Sequence, residues 1–190
     1  NVAIGYAALG SDQTGNKNTA IGFRALNTLD NAGDTFNTAV GYDAGQLIST
    51  GINNTIVGGL AGDAINTGSQ NVAVGKASLS SATTASDNVG LGHGALSALT
   101  TSARNVAIGT QALNGAMNTN SNTYNIAVGY QAGTAVTTGT QNTIIGGLAG
   151  DALTEGAGNV ALGYRALSTE TLHGRNVAIG QDALFSLNAG

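Results

Sequence analysis

Few side chains in this sequence could act together as nucleophiles, bases or metal ligands. The chain has two histidines, His93 and His173, and no cysteine, so a transition-metal site has little material to be built from. Serine, threonine and acidic residues are present, but no nucleophile is accompanied by a recognisable base and orienting acid. We therefore expect no enzyme activity, no metal site and no other cofactor.

Two glycine-rich stretches match nucleotide-binding loops only superficially. Residues 90–95 have the spacing of a dinucleotide loop, but no helix pattern or distal acid completes that fingerprint. Residues 58–63 lack the Lys-Ser/Thr pair of a phosphate loop. Four aspartates are at most surface Ca²⁺ ligands and are better explained as solvated turn residues, since no calcium-binding nonapeptide is present. They are Asp43, Asp63, Asp151 and Asp182.

Aromatic residues are the remaining candidates for binding. Five of the chain's eight aromatic side chains, together with His93, directly follow an Asn-x-x-x-Gly pentapeptide. A row of exposed rings could stack on sugars, whereas rings that pack on one another or fill an interface between chains would be structural. The five candidates are Tyr6, Phe23, Tyr42, Tyr130 and Tyr164.

These pentapeptides define an internal repeat of eleven units. Successive units are 17 residues apart, except for one step of 19 and one of 20, and a fixed short period indicates a solenoid. We call each unit a rung, number the rungs 1 to 11, and number positions within a rung from its first residue. The rungs begin at Asn1, Asn18, Asn37, Asn54, Asn71, Asn88, Asn105, Asn125, Asn142, Asn159 and Asn176.

Each pentapeptide is expected to form a short strand. Positions two and four share one face of such a strand, and positions three and five share the other. Because both faces are apolar or small, we expect the chain's own coil to cover one face and a second copy to cover the other. The prediction is an all-β fold, a parallel β-solenoid or β-roll of eleven rungs of about 17 residues. Position four is predicted to be core, so Ile108→Asp or Val128→Asp should abolish folding.

Other positions of the repeat have structural interpretations. The eleven first-position Asn side chains are predicted to stack in a hydrogen-bonded ladder rather than bind a ligand. Most rungs have Ala-Leu at positions eight and nine, but four have Ala-Gly with an aliphatic residue three positions later, which indicates a shared core slot. Glycine at position fifteen, as in Gly51, is expected to need a positive φ. The four Ala-Gly rungs contain Gly45, Gly62, Gly133 and Gly150.

A higher-order repeat spans five rungs. Residues 54–63 recur almost unchanged 88 residues later, and the two longer rungs, 18–36 and 105–124, are also five rungs apart. Their extra residues should bulge from the same side of the coil, where solenoids often place binding surfaces. We interpret residues 1–190 as a single solenoid segment. Since the chain begins and ends inside a repeat, we expect it to be a piece of a longer fibre.

Charge and hydropathy exclude two classes of partner. The net charge is −4 and the six basic residues are scattered, so we expect no nucleic-acid binding. No apolar run reaches membrane-spanning length, so we expect no membrane insertion. Small rungs bury little apolar surface each, which favours burial between chains. We expect a homotrimer, since narrow coils with small-residue faces can pack around an axis.

Residues 18–26, Asn-Thr-Ala-Ile-Gly-Phe-Arg-Ala-Leu, with the polar turn that follows, resemble the repeats of phage tail-fibre proteins. The resemblance covers all eleven rungs. Residues 2–5, Val-Ala-Ile-Gly, are also similar to the core of repeats in the heads of trimeric autotransporter adhesins. The resemblance implies a left-handed β-roll wound by each of three chains, intertwined or side by side, into a spike on a virion or otherwise outside the cell. It also implies attachment to a host surface glycan or protein.

Three further functions are kept as alternatives. The head of a bacterial trimeric surface adhesin would have the same rungs. Ice binding is suggested by Thr19, Thr38 and Thr55 on three successive rungs, although that row then stops. Glycan binding, or a polysaccharide lyase on a larger solenoid, would need a cleft or an accessible aromatic row.

Overall fold

A computed structural model describes residues 1–186, in which every rung contributes one three-residue strand to a single sheet. Its strands are β1 (Val2–Ile4), β3 (Thr19–Ile21), β5 (Thr38–Val40), β6 (Thr55–Val57), β7 (Val72–Val74), β8 (Val89–Leu91), β9 (Val106–Ile108), β10 (Ile126–Val128), β11 (Thr143–Ile145), β12 (Val160–Leu162) and β13 (Val177–Ile179). Two short strands, β2 (Gly15–Asn16) and β4 (Gly33–Asp34), form a separate pair.

All strand pairs are parallel, and the strands of the large sheet follow one another in chain order. Equal positions of successive rungs face each other, as Ala3 faces Ala20 and Ile108 faces Val128. Residues 1–186 contain no helix, and thus none long and apolar enough to cross a membrane. The predicted all-β parallel solenoid is confirmed.

The core lies between the inner face of the sheet and the return segment of each rung. Position three is fully buried throughout the interior rungs, and the small alanines there, such as Ala107, let the return segment approach closely. Leucines and isoleucines from positions nine and twelve, such as Leu96 and Leu99, fill the remaining space. The core is therefore one narrow column that runs along the whole solenoid.

Positions two and four lie on the outer face of the sheet. Ile108 keeps 36% of its surface exposed, and Val128 is half-buried. The expectation that position four belongs to the core of a single chain is wrong. Because neighbouring residues in a strand point to opposite faces, a buried position three turns positions two and four outward.

The chain turns sharply after each strand by using left-handed backbone at positions seven and nine. Their φ values lie between 47° and 64°, even where the residue is Leu113 or Arg24. Such values are uncommon for bulky residues and cost about 1–2 kcal/mol each. The turns are stabilised by hydrogen bonds to neighbouring rungs, such as that from the Arg24 N–H to the Tyr6 carbonyl at 2.8 Å. A 17-residue rung can therefore close on itself.

The shared core slot is present, and it involves position three as well. A Cβ at Gly62 would lie 2.8 Å from Ile65 Cδ1 and 2.9 Å from Ile56 Cδ1. Ile56 therefore occupies the volume that leucine fills at position nine of other rungs. Ile56 Cδ1 also lies 3.1 Å from a Cβ built at Gly45 in the preceding rung. In the second super-repeat, Ile144 Cδ1 lies 3.0 Å from a Cβ built at Gly133 and 3.3 Å from one built at Gly150. This contact explains why Ala-Gly rungs occur in adjacent pairs.

Glycine at position fifteen is required for close approach rather than for a positive φ. A Cβ at Gly51 would lie 2.2 Å from the carbonyl oxygen of Gly68, and Gly51 does not adopt a left-handed φ. The expectation of a positive φ at this position is wrong. In the rungs with glycine here, the return segments pack too closely for a side chain, whereas Ala85, Ser102 and His173 occupy position fifteen in three other rungs.

Candidate functional site

First-position asparagines form a continuous ladder inside the solenoid. Asn71 is typical: it is fully buried, and its Nδ2 donates to Asn54 Oδ1 at 3.2 Å and to the Ala85 carbonyl at 2.8 Å. Its Oδ1 accepts from the Asn88 N–H at 3.1 Å. The Asn71 amide thus connects three places: the previous rung, the next rung and its own return segment. In contrast, Nδ2 of Asn18 has no hydrogen-bond partner. Asn71 has no polar atom left for an external ligand.

The two long rungs modify this ladder in the same way. Thr35 and Thr123 are buried, and their hydroxyls donate to Asn18 Oδ1 at 2.6 Å and Asn105 Oδ1 at 2.7 Å. Both insertions therefore enter the return segment just before the next strand. The sequence contained this signal, because Thr35 and Thr123 are 88 residues apart.

The structure brings together three of the five candidate aromatic residues. Tyr6 stacks on Phe23 with centroids 5.2 Å apart, and Phe23 stacks on Tyr42 at 5.4 Å. All five rings are exposed, but Tyr130 and Tyr164 are separated by a rung that carries glycine at this position. These rings form their own column along the solenoid, in which they cover one another's faces and present their edges outward. Because sugars stack on ring faces, the first three rings are poor sugar platforms.

The outer face of the sheet is a long, mostly apolar surface. It consists of the side chains at positions two and four, which are Val, Thr, Ile or Leu in every rung. Ile4 is 59% exposed and Leu162 43%. Eleven rungs at a spacing of about 4.8 Å give a strip about 50 Å long. Five extended residues span about 13 Å across the strip, so its area is roughly 650 Å². The largest patch on a typical monomer covers about 300–600 Å².

Two edges border this outer face. The trailing edge consists of the position-six residues, including the candidate aromatic residues, and follows each strand. The leading edge consists of the residue just before each first-position Asn. Lys17 Nζ lies 4.9 Å from the ring centroid of Phe36, and Arg104 Nη1 donates to the Tyr124 hydroxyl at 3.0 Å. That hydrogen bond is the main cause of a raised pKa for the Arg104 guanidinium.

Sequence reasoning missed the leading edge. The signal was available, because Phe36 and Tyr124 are 88 residues apart and each follows a basic residue in the previous rung. The remaining members of this edge are Lys17, Asn53, Gln70, Asp87, Arg104, Gln141, Gly158 and Arg175. Apart from the half-buried Asp87, all are exposed.

The four candidate Ca²⁺ ligands do not come together. Asp43 forms two hydrogen bonds with Arg24, at 2.6 and 2.9 Å, and Asp182 lies 3.6 Å from Arg165. Asp63 and Asp151 each have one buried carboxylate oxygen without a partner, and burial raises the pKa of Asp63. Within residues 1–186, no three His, Asp or Glu side chains are grouped to hold a metal ion.

Glu170 is a buried acid that the sequence reasoning did not single out. It occupies position twelve, where rungs 2–9 carry aliphatic residues and rung 1 carries Asp12, and is 2% exposed. Its Oε1 accepts from the Leu172 N–H at 2.9 Å and from the His173 N–H at 2.7 Å. Burial acts to raise its pKa, but hydrogen bonds from His173 and Leu172 outweigh burial and hold the pKa below its ordinary value. Glu170 therefore stabilises a turn.

Comparison of the chain with known protein families, curated proteins and solved structures found no match. The outer face and its two edges are therefore the features of the chain that bear on its function.

Proposed function

We propose that this chain is a structural segment of a homotrimeric fibre, in which the outer faces of three solenoids pack around a common axis. The uncovered apolar outer face carries this proposal. It measures about 650 Å² per chain alone and about 1,000 Å² with its two edges, and a stable interface buries about 800 Å² per partner. A second copy of the chain is the simplest cover, because it offers an apolar strip of the same length.

The width of the face favours three chains over four. Five to seven extended residues span about 13–20 Å. Three faces of that width around an axis each lie about 4–6 Å from it, whereas four would lie about 7–10 Å away. Packed sheets are about 10 Å apart, so aliphatic side chains fill about 5 Å from each sheet. Three faces close a solid core, and four leave a channel.

The biological role that we propose is attachment of a phage to its host, with the segment exposed on the virion surface. Support comes from the rod-like solenoid and from the resemblance of its rungs to tail-fibre repeats. Three parallel copies would also multiply any weak contact with a surface glycan or protein. A bacterial trimeric adhesin is the alternative within this class. A membrane anchor or a chaperone domain encoded beside this segment would separate the two.

Small-angle X-ray scattering of the purified segment tests the fibre directly. We expect a particle about 50 Å long, whose volume is three times that of one solenoid and does not change on dilution. The volume of one solenoid would contradict the proposal. The volume of two would retain a shared apolar face but refute the trimer.

A second candidate is ice binding, favoured by a threonine row that the sequence reasoning missed. Thr50, Thr67, Thr84 and Thr101 occupy position fourteen of four successive rungs, about 4.8 Å apart. The first three are exposed and Thr101 is half-buried. This row is longer than the row at position two. A thermal hysteresis assay at millimolar protein concentration tests this candidate. Hysteresis that is weakened by Thr67→Leu would support ice binding, and the absence of hysteresis would refute it.

A further inference from the structure

We infer that neighbouring chains of the fibre recognise each other through their edges, with the leading edge of one chain against the trailing edge of the next, rung by rung. This inference rests on the proposed homotrimer. It goes further by naming the residues that meet where neighbouring chains join.

Symmetry predicts which rungs meet. Rotation about an axis parallel to the solenoids moves no chain along that axis, so equal rungs of all chains stay at equal height. Such an interface joins two different surfaces, which here are the two edges at either side of the outer face. When three faces close a triangular core, each corner brings one leading and one trailing edge together. The residue before each first-position Asn then faces the position-six residue of the equivalent rung in the neighbour.

The sizes of the paired residues are complementary along the solenoid. Wherever one edge carries glycine, the opposite edge of the same rung carries a side chain that can occupy the space. Gly59 is the clearest case, because a Cβ built on it would have no neighbour within 4 Å. The glycine pairs are Gly59 with Asn53, Gly147 with Gln141, and Gly158 with Tyr164.

Aromatic and charged residues are matched in the same register. Tyr42 faces Phe36, and 88 residues later Tyr130 faces Tyr124, so both super-repeats place two rings at the corner. Aromatic pairs of this kind stabilise an interface beyond the area that they bury. The remaining pairs bring no two like charges together in rungs 2–11. His93, for example, faces Asp87 of the neighbour.

A stagger of one rung changes these pairs. In one direction it places Gly147 opposite Gly158, where neither edge has a side chain, and His93 opposite Arg104, although it also brings Lys76 to Asp87. In either direction Phe36 loses Tyr42 and Tyr124 loses Tyr130. Rotational symmetry, more than the edge residues, therefore fixes the unstaggered alignment.

Disulfide cross-linking tests the pairing cleanly, because the chain has no cysteine. The two edges of one chain lie about 20 Å apart across the outer face, beyond the reach of a disulfide within the chain. We would make Phe36→Cys/Tyr42→Cys and, as a second pair, Tyr124→Cys/Tyr130→Cys. Matched controls are the four single variants and the mismatched pair Phe36→Cys/Tyr130→Cys. All four positions are exposed, and circular dichroism checks folding.

After oxidation, each matched pair should run as a covalent three-chain species on a denaturing, non-reducing gel, while single and mismatched variants run as single chains. Covalent dimers from a single variant would show that like edges meet, which overturns the inference. A variant that has trimer mass by light scattering but forms no disulfide overturns the edge pairing and leaves the fibre proposal standing. A monomer by light scattering overturns both.

Discussion

At the scale of single residues, the first-position Asn is the main determinant of rung spacing. Its side chain is fixed between two neighbouring rungs, so it works only when the same residue recurs at the same height. The ladder was predictable from sequence because an amide is both donor and acceptor and occurs at one position of every rung. Its third contact, to the carbonyl at position fifteen, was not predictable, since it depends on how the return segment folds back.

Replacing one ladder residue should cost far more than replacing its neighbour. Asn71→Ala removes four hydrogen bonds in a buried column and should lower the free energy of unfolding by about 2–4 kcal/mol. Gln70→Ala, one residue earlier, changes an exposed side chain and should cost less than about 0.5 kcal/mol. Urea denaturation of both variants measures the difference. Equal midpoints would show that the ladder does not hold the rungs together.

Glu170 should make stability depend on pH in a defined direction. Its pKa in the folded chain lies below the ordinary value of 4.5, so it contributes stability above that value and loses it as pH falls through the folded pKa. Glu170→Gln should therefore flatten the fall in melting temperature below pH 4.5. Glu155→Gln, at an exposed site in the preceding rung, is the control and should leave the curve unchanged. Identical curves for the wild type and Glu170→Gln would refute this role.

At the scale of elements, each strand ends at a glycine that no other residue can replace. Gly109 has a φ of 129°, and a Cβ there would lie 2.4 Å from the Gly129 carbonyl oxygen. The sequence identified the position by repetition, but whether backbone conformation or contact required glycine depended on the distance between rungs. At position five, glycine is required both by the positive φ and by the close contact between rungs. At position fifteen, the glycines are required only by the contact.

Gly109→Ala should lower the melting temperature sharply, because the methyl group pushes two rungs apart and the φ is strained. We expect a cost above about 3 kcal/mol, or no folded protein. Gly59→Ala is the matched control for contacts between rungs, since its methyl group would meet no atom of its own chain. Thermal denaturation followed by circular dichroism compares the two. Similar melting temperatures would mean that the rungs are looser than described.

At the scale of the whole molecule, the solenoid has one face buried by its own coil and one left open. The sequence predicted that both faces are apolar, and it predicted the fold. It assigned position four to the core, which is wrong, because positions two, three and four are all apolar or small and do not reveal which face the coil covers. The structure decides this by burying Ala107 and exposing Ile108. A substitution on the outer face is therefore expected to act on assembly rather than on the coil.

Ile108→Asp and Ala107→Asp should have different effects, the first on assembly and the second on folding. Ala107→Asp places a charge in the closed core and should prevent folding. Ile108→Asp should leave the strand signal in circular dichroism intact and dissociate the trimer, because the charge meets an apolar interface only in the assembly. Size-exclusion chromatography separates these results. Assembled Ile108→Asp protein would argue that the outer face is not the interface.

The mass of the purified segment in solution, measured by light scattering over a hundredfold dilution, tests the account most directly. We predict about 56 kDa, three times the chain mass of 18.6 kDa, with no change on dilution. A mass of 18.6 kDa at every concentration would show that the outer face stays open to water, which contradicts the fibre.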